Sequence, residues 1–492
     1  MQILLASIKM AIKQMIGYNS NRRYFAGFLH GLIKESGVKA NLVQESKGIT
    51  LLLDDSDEKS LARFSSLSNK YLPHSIFLGD INTVGEHADI QREEFISPAY
   101  NISLCVRCLE KLTNPSSEDY LDDTLTCHHY GKDEQRVFSD NTSFSAHYSE
   151  GDTLLVVNPR TIDELFVMTE DEKKALFSIE KPTIKVTIKD NGLKELTNRS
   201  FINIKSIYNT RSTLVSLNAK DGEVPYLFFN DCYSFKVAVI QKNITIIKDA
   251  KGLEQELELF DKNPLINRFL NISNEAGFRS NSIGVNLSEK KGISFIVSNE
   301  IAAKKVIIFQ PFVLKEVLDL MKKDTQKEKL LVNFEKKYPS IMELLNENGA
   351  YNLFETLSCI LELNSRTFEA VSDKSLEFRG NGGLKIDTYF NNEIASENFS
   401  ALSKPAFDYA SFIGSIMSFK LAGTDENYLA YSTFEALGDM TITILNQLKA
   451  KFKIENFVMM GSMFENSVLY SRILSKFQLS KPYFSKGFAL DD

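Results

Sequence analysis

The chain has 492 residues, 43% hydrophobic and 25% charged, ordinary globular proportions that exclude a mainly disordered or fibrous protein. A formal charge of −7 argues against nucleic acid as the main partner, because phosphate binding needs a surplus of Lys and Arg. No stretch approaches the ~20 unbroken apolar residues of a membrane-spanning helix, and five cysteines are too few for a secreted disulfide scaffold, so the expectation is a cytoplasmic protein of about three domains at ~150 residues each.

The opening MQILLASIKMAIKQMIG carries Lys9 and Lys13 within its apolar run, which fails the pattern of a signal peptide. Ile8, Met10 and Ile12 alternate with Lys9 and Lys13 around Ala11, predicting a strand. Tyr24, Phe25, Phe28, Leu29, Leu32 and Ile33 then form one helical face ending near Gly37. A strand at Ile49 to Leu53, a helix bearing Leu61, Phe64 and Leu67, and a closing strand between Ile76 and Val84 follow, with room for one more strand at Ala40 to Val43. That order suits a split βαβ, ferredoxin-like layer.

Residues 100–150 change character. They hold three of the five cysteines, four acids between Glu118 and Asp123, and little periodic apolar structure, so they need a staple to fold. From 151 to about 250, short β-rich runs return at Leu154 to Val157, Ile184 to Ile188 and Val237 to Ile240. Beyond 265 a larger α/β region is expected. Leu353, Phe354, Leu357, Ile360 and Leu361 make one helical stripe, and Phe434, Leu437, Ile444, Leu445 and Leu448 another. The charged run Lys322 to Lys329 reads as a solvated helix or loop.

The sharpest chemical signal is Cys105-x2-Cys108, then eighteen intervening residues, then Cys127-His128-His129. Two thiolates two residues apart share a tetrahedral metal at a tight turn, and a second knuckle closes the site. The fourth ligand is left open between His128 and His129, and the alternative is three free cysteines packed without metal. The site predicts structural zinc, since nothing nearby offers an open catalytic position. Asn21-Arg22-Arg23, just before the first helix, has the elements of an anion cradle. Its simpler reading is an exposed basic pair. Phe457 to Met460 followed by Gly461 reads as a buried strand, a glycine turn and a helix. Such a turn suits a phosphate or nucleotide, although Ser462-x-x-Glu465 also fits a capping box. Gly380-Asn381-Gly382-Gly383 lacks the Lys-Ser/Thr of a P-loop and reads as a hairpin or helix end. Cys232 and Cys359 read as core. The six histidines are His30, His74, His87, His128, His129 and His147, so the last 345 residues (492 − 147) contain none.

Together these features resemble the HypF family, the hydrogenase maturation carbamoyltransferases. Cys105-Val-Arg-Cys108-Leu-Glu-Lys-Leu-Thr-Asn-Pro115 with Cys127 is similar to that family's CxxCLxEL-x-x-P…C-x-x-C-G. Ile16 to Phe25 lies where the family has VQGVGFRPFV, which places Arg22 on a phosphate-binding arginine. Leu353 to Leu361 resembles LFDAVAALLG, Phe368-Glu369-Ala370 lies near YEGQAAMELE, and Gly461 to Asn466 resembles GGVFQN. The resemblance implies an α+β and α/β multidomain chain. Its parts would be an acylphosphatase-like domain at 1–92, a zinc-finger-like segment at 93–150, a YrdC-like region at 151–262 and a Kae1-like domain of the actin/Hsp70 ATPase fold at 263–492. It also implies Arg22 and Arg23 as anion-binding residues, Gly461 and Asn466 as nucleotide-binding residues, and Cys105, Cys108, Cys127, His128 and His129 as metal ligands.

The family's chemistry, on this resemblance, hydrolyses carbamoyl phosphate, adenylates the carbamate with ATP and passes the carbamoyl group to a cysteine of a partner protein, to become cyanide on the iron of a nickel–iron hydrogenase. The departures are systematic. The C-terminal HxxxH has no counterpart, and the terminal aspartate of PPNDGG falls near Ser485. The phosphate loop has lost its glycines (Tyr18, Asn19, Ser20, Asn21), the acylphosphatase asparagine position reads Gln44, and the fourth zinc cysteine is Tyr130. A second zinc finger is missing. The pattern implies a scaffold that has lost carbamoyl transfer and binds a hydrogenase subunit or a maturation partner, like the HydE-type accessory proteins of some uptake-hydrogenase operons. The alternative is an active carbamoyltransferase, which alone would need ATP and carbamoyl phosphate.

Overall fold

The computed structural model describes residues 13–18, 22–45, 48–54, 57–79, 81–83, 102–125, 127, 129, 142–221, 224–231, 235–248, 253, 257–278, 281–299, 302–390, 407–477 and 481–491. The chain divides into two compact units, residues 1–244 with 249–255 and residues 245–248 with 256–492.

The first module of unit 1 runs β1 (Lys13–Tyr18), α1 (Arg23–Ser36), β2 (Ala40–Glu45), β3 (Gly48–Asp54), α2 (Glu58–Tyr71) and β4 (Ile81–Thr83). Its sheet order is β2-β3-β1-β4, with every neighbouring pair antiparallel, the split βαβ layout expected from the sequence. The apolar stripe of α1 is buried at Tyr24, Phe25, Phe28, Leu29 and Leu32. The helix stops where Gly37 turns left-handed at φ 75° and its N–H reaches the Ile33 carbonyl, a conformation that suits glycine. Asp57 caps α2 by accepting from the amides of Lys59 and Ser60. In β3, Ile49, Leu51 and Leu53 alternate into the core. The expected strand at Ile8 to Ile12 lies outside the described residues. The closing strand shortens to three residues, because Pro73 and a turn in which the Leu78 amide reaches the Ser75 carbonyl occupy the chain before it.

After α3 (Val106–Thr113) the chain enters a mixed sheet of β5 (Thr153–Val156), β6 (Phe166–Val167), β7 (Thr183–Ile188), β8 (Phe201–Ser206), β9 (Tyr226–Phe229), β10 (Lys236–Ile240) and β11 (Asn243–Lys248). The order is β11-β10-β7-β8-β5-β9, with β6 beside β7. Helices α4 (Ile162–Leu165), α5 (Glu170–Leu176), α6 (Asn191–Thr197) and α7 (Thr210–Asp221) connect the strands. Leu155, Val157, Leu227 and Phe229 form one of its core clusters, flanked by Phe144 and Tyr208.

Unit 2, which takes in the end of β11, continues with α8 (Pro264–Glu275) and the antiparallel strands β12 (Ser282–Ser288), β13 (Gly292–Ser298) and β14 (Ala303–Ile308). Among the described residues seven helices follow: α9 (Leu314–Lys323), α10 (Thr325–Lys337), α11 (Pro339–Glu347), α12 (Leu353–Ile360), α13 (Phe368–Glu377), α14 (Tyr409–Leu421) and α15 (Glu426–Phe452). The unit closes with β15 (Phe457–Met460), α16 (Ser467–Lys476) and β16 (Tyr483–Phe484). Its sheet order is β14-β13-β12-β15-β16, and β15 and β16 run parallel to β12. The charged run 322–329 spans the end of α9 and the start of α10, with Asp324 capping α10. The Asn352–Glu355 pair forms a capping box for α12. Gly380 to Gly383 follow the end of α13, as expected for a helix end. Cys359 is buried in α12, and Cys232 lies outside the described residues.

Candidate metal centre

Four ligand atoms meet in unit 1. The Sγ atoms of Cys105, Cys108 and Cys127 and a ring nitrogen of His129 all lie within 4.8 Å of one another. His129 Nδ1 is 3.1 Å from Cys105 Sγ, 3.5 Å from Cys108 Sγ and 3.8 Å from Cys127 Sγ. A tetrahedron with Zn–S about 2.3 Å and Zn–N about 2.0 Å has edges of roughly 3.5–3.8 Å, close to this spacing. Three thiols and one imidazole are also the donor set that selects zinc. The three cysteines are buried and His129 is half-buried. Of the two candidate histidines, His129 is brought to the group; His128 and Tyr130 lie outside the described residues.

Local structure explains the first knuckle. Cys105 is the N-cap residue of α3 and Cys108 sits in its first turn, with the Leu109 amide bonded to the Cys105 carbonyl. The positive end of a helix favours thiolates there. Three thiols at this separation cannot all ionise alone. Hydrogen bonds from Cys108 and Cys127 hold Cys105 well below the ordinary thiol range, while its hydrogen bonds with Cys105 and Cys127 push Cys108 far above it. Cys127 is pushed up to about 12, first by its hydrogen bond with Cys105. A divalent cation removes that conflict by deprotonating its ligands outright.

The other expected site residues lie elsewhere. Arg22 is the N-cap residue of α1, 3% exposed, with its guanidinium 3.7 Å from the centroid of the Phe77 ring. The expectation of an exposed basic pair therefore fails at Arg22, because the ring covers it. The side chain of Arg23 lies outside the described set. Gly461 has φ 105° and packs on the backbone of Leu287. The Ser462–Glu465 capping box does not form. Those residues make a short 3-10 turn, the Ser462 amide donates to the Asp491 carboxylate at 3.0 Å, and Asn466 caps α16 through the Leu469 amide.

Both ends of the Asn466 amide are used inside the protein, since its Nδ2 donates to the hydroxyls of Ser372 (2.9 Å) and Ser375 (2.8 Å). Asn466→Ala is expected to cost about 2–3 kcal/mol, from one lost cap and the lost bonds to two buried hydroxyls, of which that of Ser375 still donates to the Ser372 carbonyl. Urea unfolding would measure it, and a cost under about 1 kcal/mol would mean these bonds contribute little net stability.

Sequence reasoning missed two neighbours of the Cys3His group and one contact elsewhere in unit 1. Arg107 pairs with Glu35 of α1 and lies 4.0 Å over the Tyr71 ring. A Cβ on Gly31 would come 3.3 Å from the His129 carbonyl oxygen. Glu180 joins the first module to the middle region. None had a local signal, because each pairs residues far apart in sequence.

Taken along its whole length, the chain has the fold of HypF, the hydrogenase maturation carbamoyltransferase. It superposes on a full-length HypF in its phosphate- and nucleotide-bound form with a TM-score of 0.55, covering 97% of this chain and 96% of that one at 10% identity. The HypF of T. kodakarensis gives a TM-score of 0.59 over 97% and 96% at 9% identity. At the sequence level, the protein HydE of Wolinella succinogenes is 23% identical over 348 residues, which span 63% of this chain and 61% of that protein. The match thus takes in about three-fifths of the curated relative. No family model matches the chain. Among the described residues, no helix is long and apolar enough to cross a membrane.

Proposed function

We propose that this chain is a cytoplasmic accessory protein of nickel–iron hydrogenase maturation, a HypF-like scaffold that recognises a hydrogenase subunit or a maturation partner and has lost carbamoyl transfer. The observation that carries the reading is a fold match to HypF along almost the whole chain in a sequence with no histidine after His147. A hard cation bridging nucleotide phosphates needs fixed ligands, and the histidine pair that the resemblance places in the C-terminal domain is gone. The likeness to HydE supports the accessory role.

The proposal includes a four-part division of the chain. Residues 1–92 as an acylphosphatase-like domain agree with the split βαβ sheet. Residues 93–150, as a zinc-finger-like segment, contain the metal ligands. The mixed sheet suits a YrdC-like region at 151–262. The antiparallel meander continued by parallel strands suits a Kae1-like domain at 263–492.

In this reading zinc is structural, held by Cys105, Cys108, Cys127 and His129. Arg22, packed on Phe77, serves the fold more than an anion, and Gly461 and Asn466 shape the turn more than they hold nucleotide. Co-expression of the tagged full chain with hydrogenase subunits and maturation proteins tests the role. Stable co-purification with one of them is expected, and retention of none under conditions that hold a HypF complex together would contradict it.

A further inference from the structure

Two contacts between the metal knuckle and the first module come from the knuckle itself. Arg107 lies between the ligands Cys105 and Cys108. Its side chain is only 13% exposed, and two of its nitrogens, Nε and Nη2, have no partner. A guanidinium this desolvated depends on Glu35 and on the face of the Tyr71 ring. The second contact is the His129 carbonyl oxygen against Gly31, an approach that the missing side chain makes close. A rim pair, Lys70 with Glu110 at 3.9 Å, is more than half exposed on both sides and adds little.

The N-terminal end of α1 is held by different groups. Glu180, from the turn after α5 and 5% exposed, accepts from the Tyr24 hydroxyl at 2.6 Å, the Ile76 amide at 3.1 Å and the Ser75 hydroxyl. The Ile179 amide donates to the His74 carbonyl at 2.8 Å, and the Ser103 hydroxyl donates to the Ile179 carbonyl. None of these groups is a metal ligand.

We propose that the Cys3His group is a conditional clamp on the first module. With the four ligands gathered, the knuckle aims Arg107 at Glu35 and Tyr71 and seats His129 on Gly31, which covers the C-terminal half of α1 and the end of α2. With the ligands released, that face opens while Glu180 keeps the N-terminal end of α1 docked. Metal binding and local folding are coupled wherever a site does not survive on its own, and proteins open in local units whose stabilities differ. The inference goes beyond the accessory role, since it concerns what metal loading does to the surface of this chain, whichever partner is bound.

Amide hydrogen exchange of the full chain, read by peptide mass spectrometry alongside metal analysis, tests it. Removing metal with a chelator is expected to speed exchange at residues 30–36 and 68–71 by at least about tenfold, and at 24–28 and 74–78 by less than about twofold. Arg107→Ala, kept loaded in excess zinc, is expected to open 30–36 in the same way. Glu180→Ala is expected to reverse the pattern, opening 24–28 and 74–78 while 30–36 stay protected. Chelation that leaves 30–36 unchanged, or opens both ends by one common factor, contradicts the clamp. So does a zinc-loaded Arg107→Ala protein with full protection at 30–36.

Discussion

Purified full-length protein is expected to carry about one zinc ion per chain, and Cys108→Ser is expected to lose nearly all of it. The argument is energetic. Structural zinc in a Cys/His site contributes on the order of 10 kcal/mol to the fold that holds it, and segment 102–129 has little else. Among its described residues the α-helix is the eight-residue α3, and the buried apolar anchors are the three cysteines with Leu104 and Leu112. Serine keeps the size but gives up the soft thiolate, so the remaining donors no longer complete a tetrahedral site. Limited proteolysis should then cut within 102–129. Cys359→Ser, buried in unit 2 and not one of the four residues of the group, should leave the zinc bound. Metal analysis decides the matter, and a metal-free preparation with a protected, folded segment would sink the zinc assignment.

Gly461→Ala is expected to prevent unit 2 from folding. A Cβ at this position would lie 2.1 Å from the Leu287 carbonyl oxygen, 2.3 Å from its carbon and 2.6 Å from its nitrogen, at a φ of +105°. All three atoms are backbone of the central strand β12, so no side-chain rotation relieves the clash. Moving them apart would disturb the β12–β15 pairing. It would also break the 2.7 Å bond from the Gly461 amide to the Leu490 carbonyl. The expected cost exceeds about 4 kcal/mol, among the largest values for a single substitution. Circular dichroism melting of the purified variant measures it. A soluble variant melting within about 3 °C of the parent would show that the turn relaxes, since 1 kcal/mol shifts a domain of this size by about 2–4 °C.

Much of the scaffold was legible because its signals are local. The stripe of α1 and the Gly37 stop, the run that became α12, and the apolar cores of β3, β5, β7 and β10 each specify their own element. The cysteine spacing named three of the four residues of the Cys3His group that could hold a metal. Which histidine completes the group depends on how the loop returns to α3, and spacing alone leaves that open. The middle region was harder. Its strand β6 has two residues, too short for periodicity to separate it from loop. Ser462 misled for another reason. Its amide is claimed by Asp491, twenty-nine positions later, a competition that no local motif reveals. The same holds for Arg22, whose cover comes from Phe77, and for the Arg107–Glu35 pair.

The reading as a scaffold without carbamoyl transfer is tested most directly by carbamoyl-phosphate-dependent release of pyrophosphate from ATP. The assay uses zinc-loaded full-length protein at high concentration, with a full-length HypF as positive control. The account predicts no release above the protein-free rate while the control turns over. Clear turnover by this chain would mean that other ligands have replaced the missing histidines, and would contradict the loss of carbamoyl transfer while leaving the zinc assignment and the clamp on the first module to their own tests.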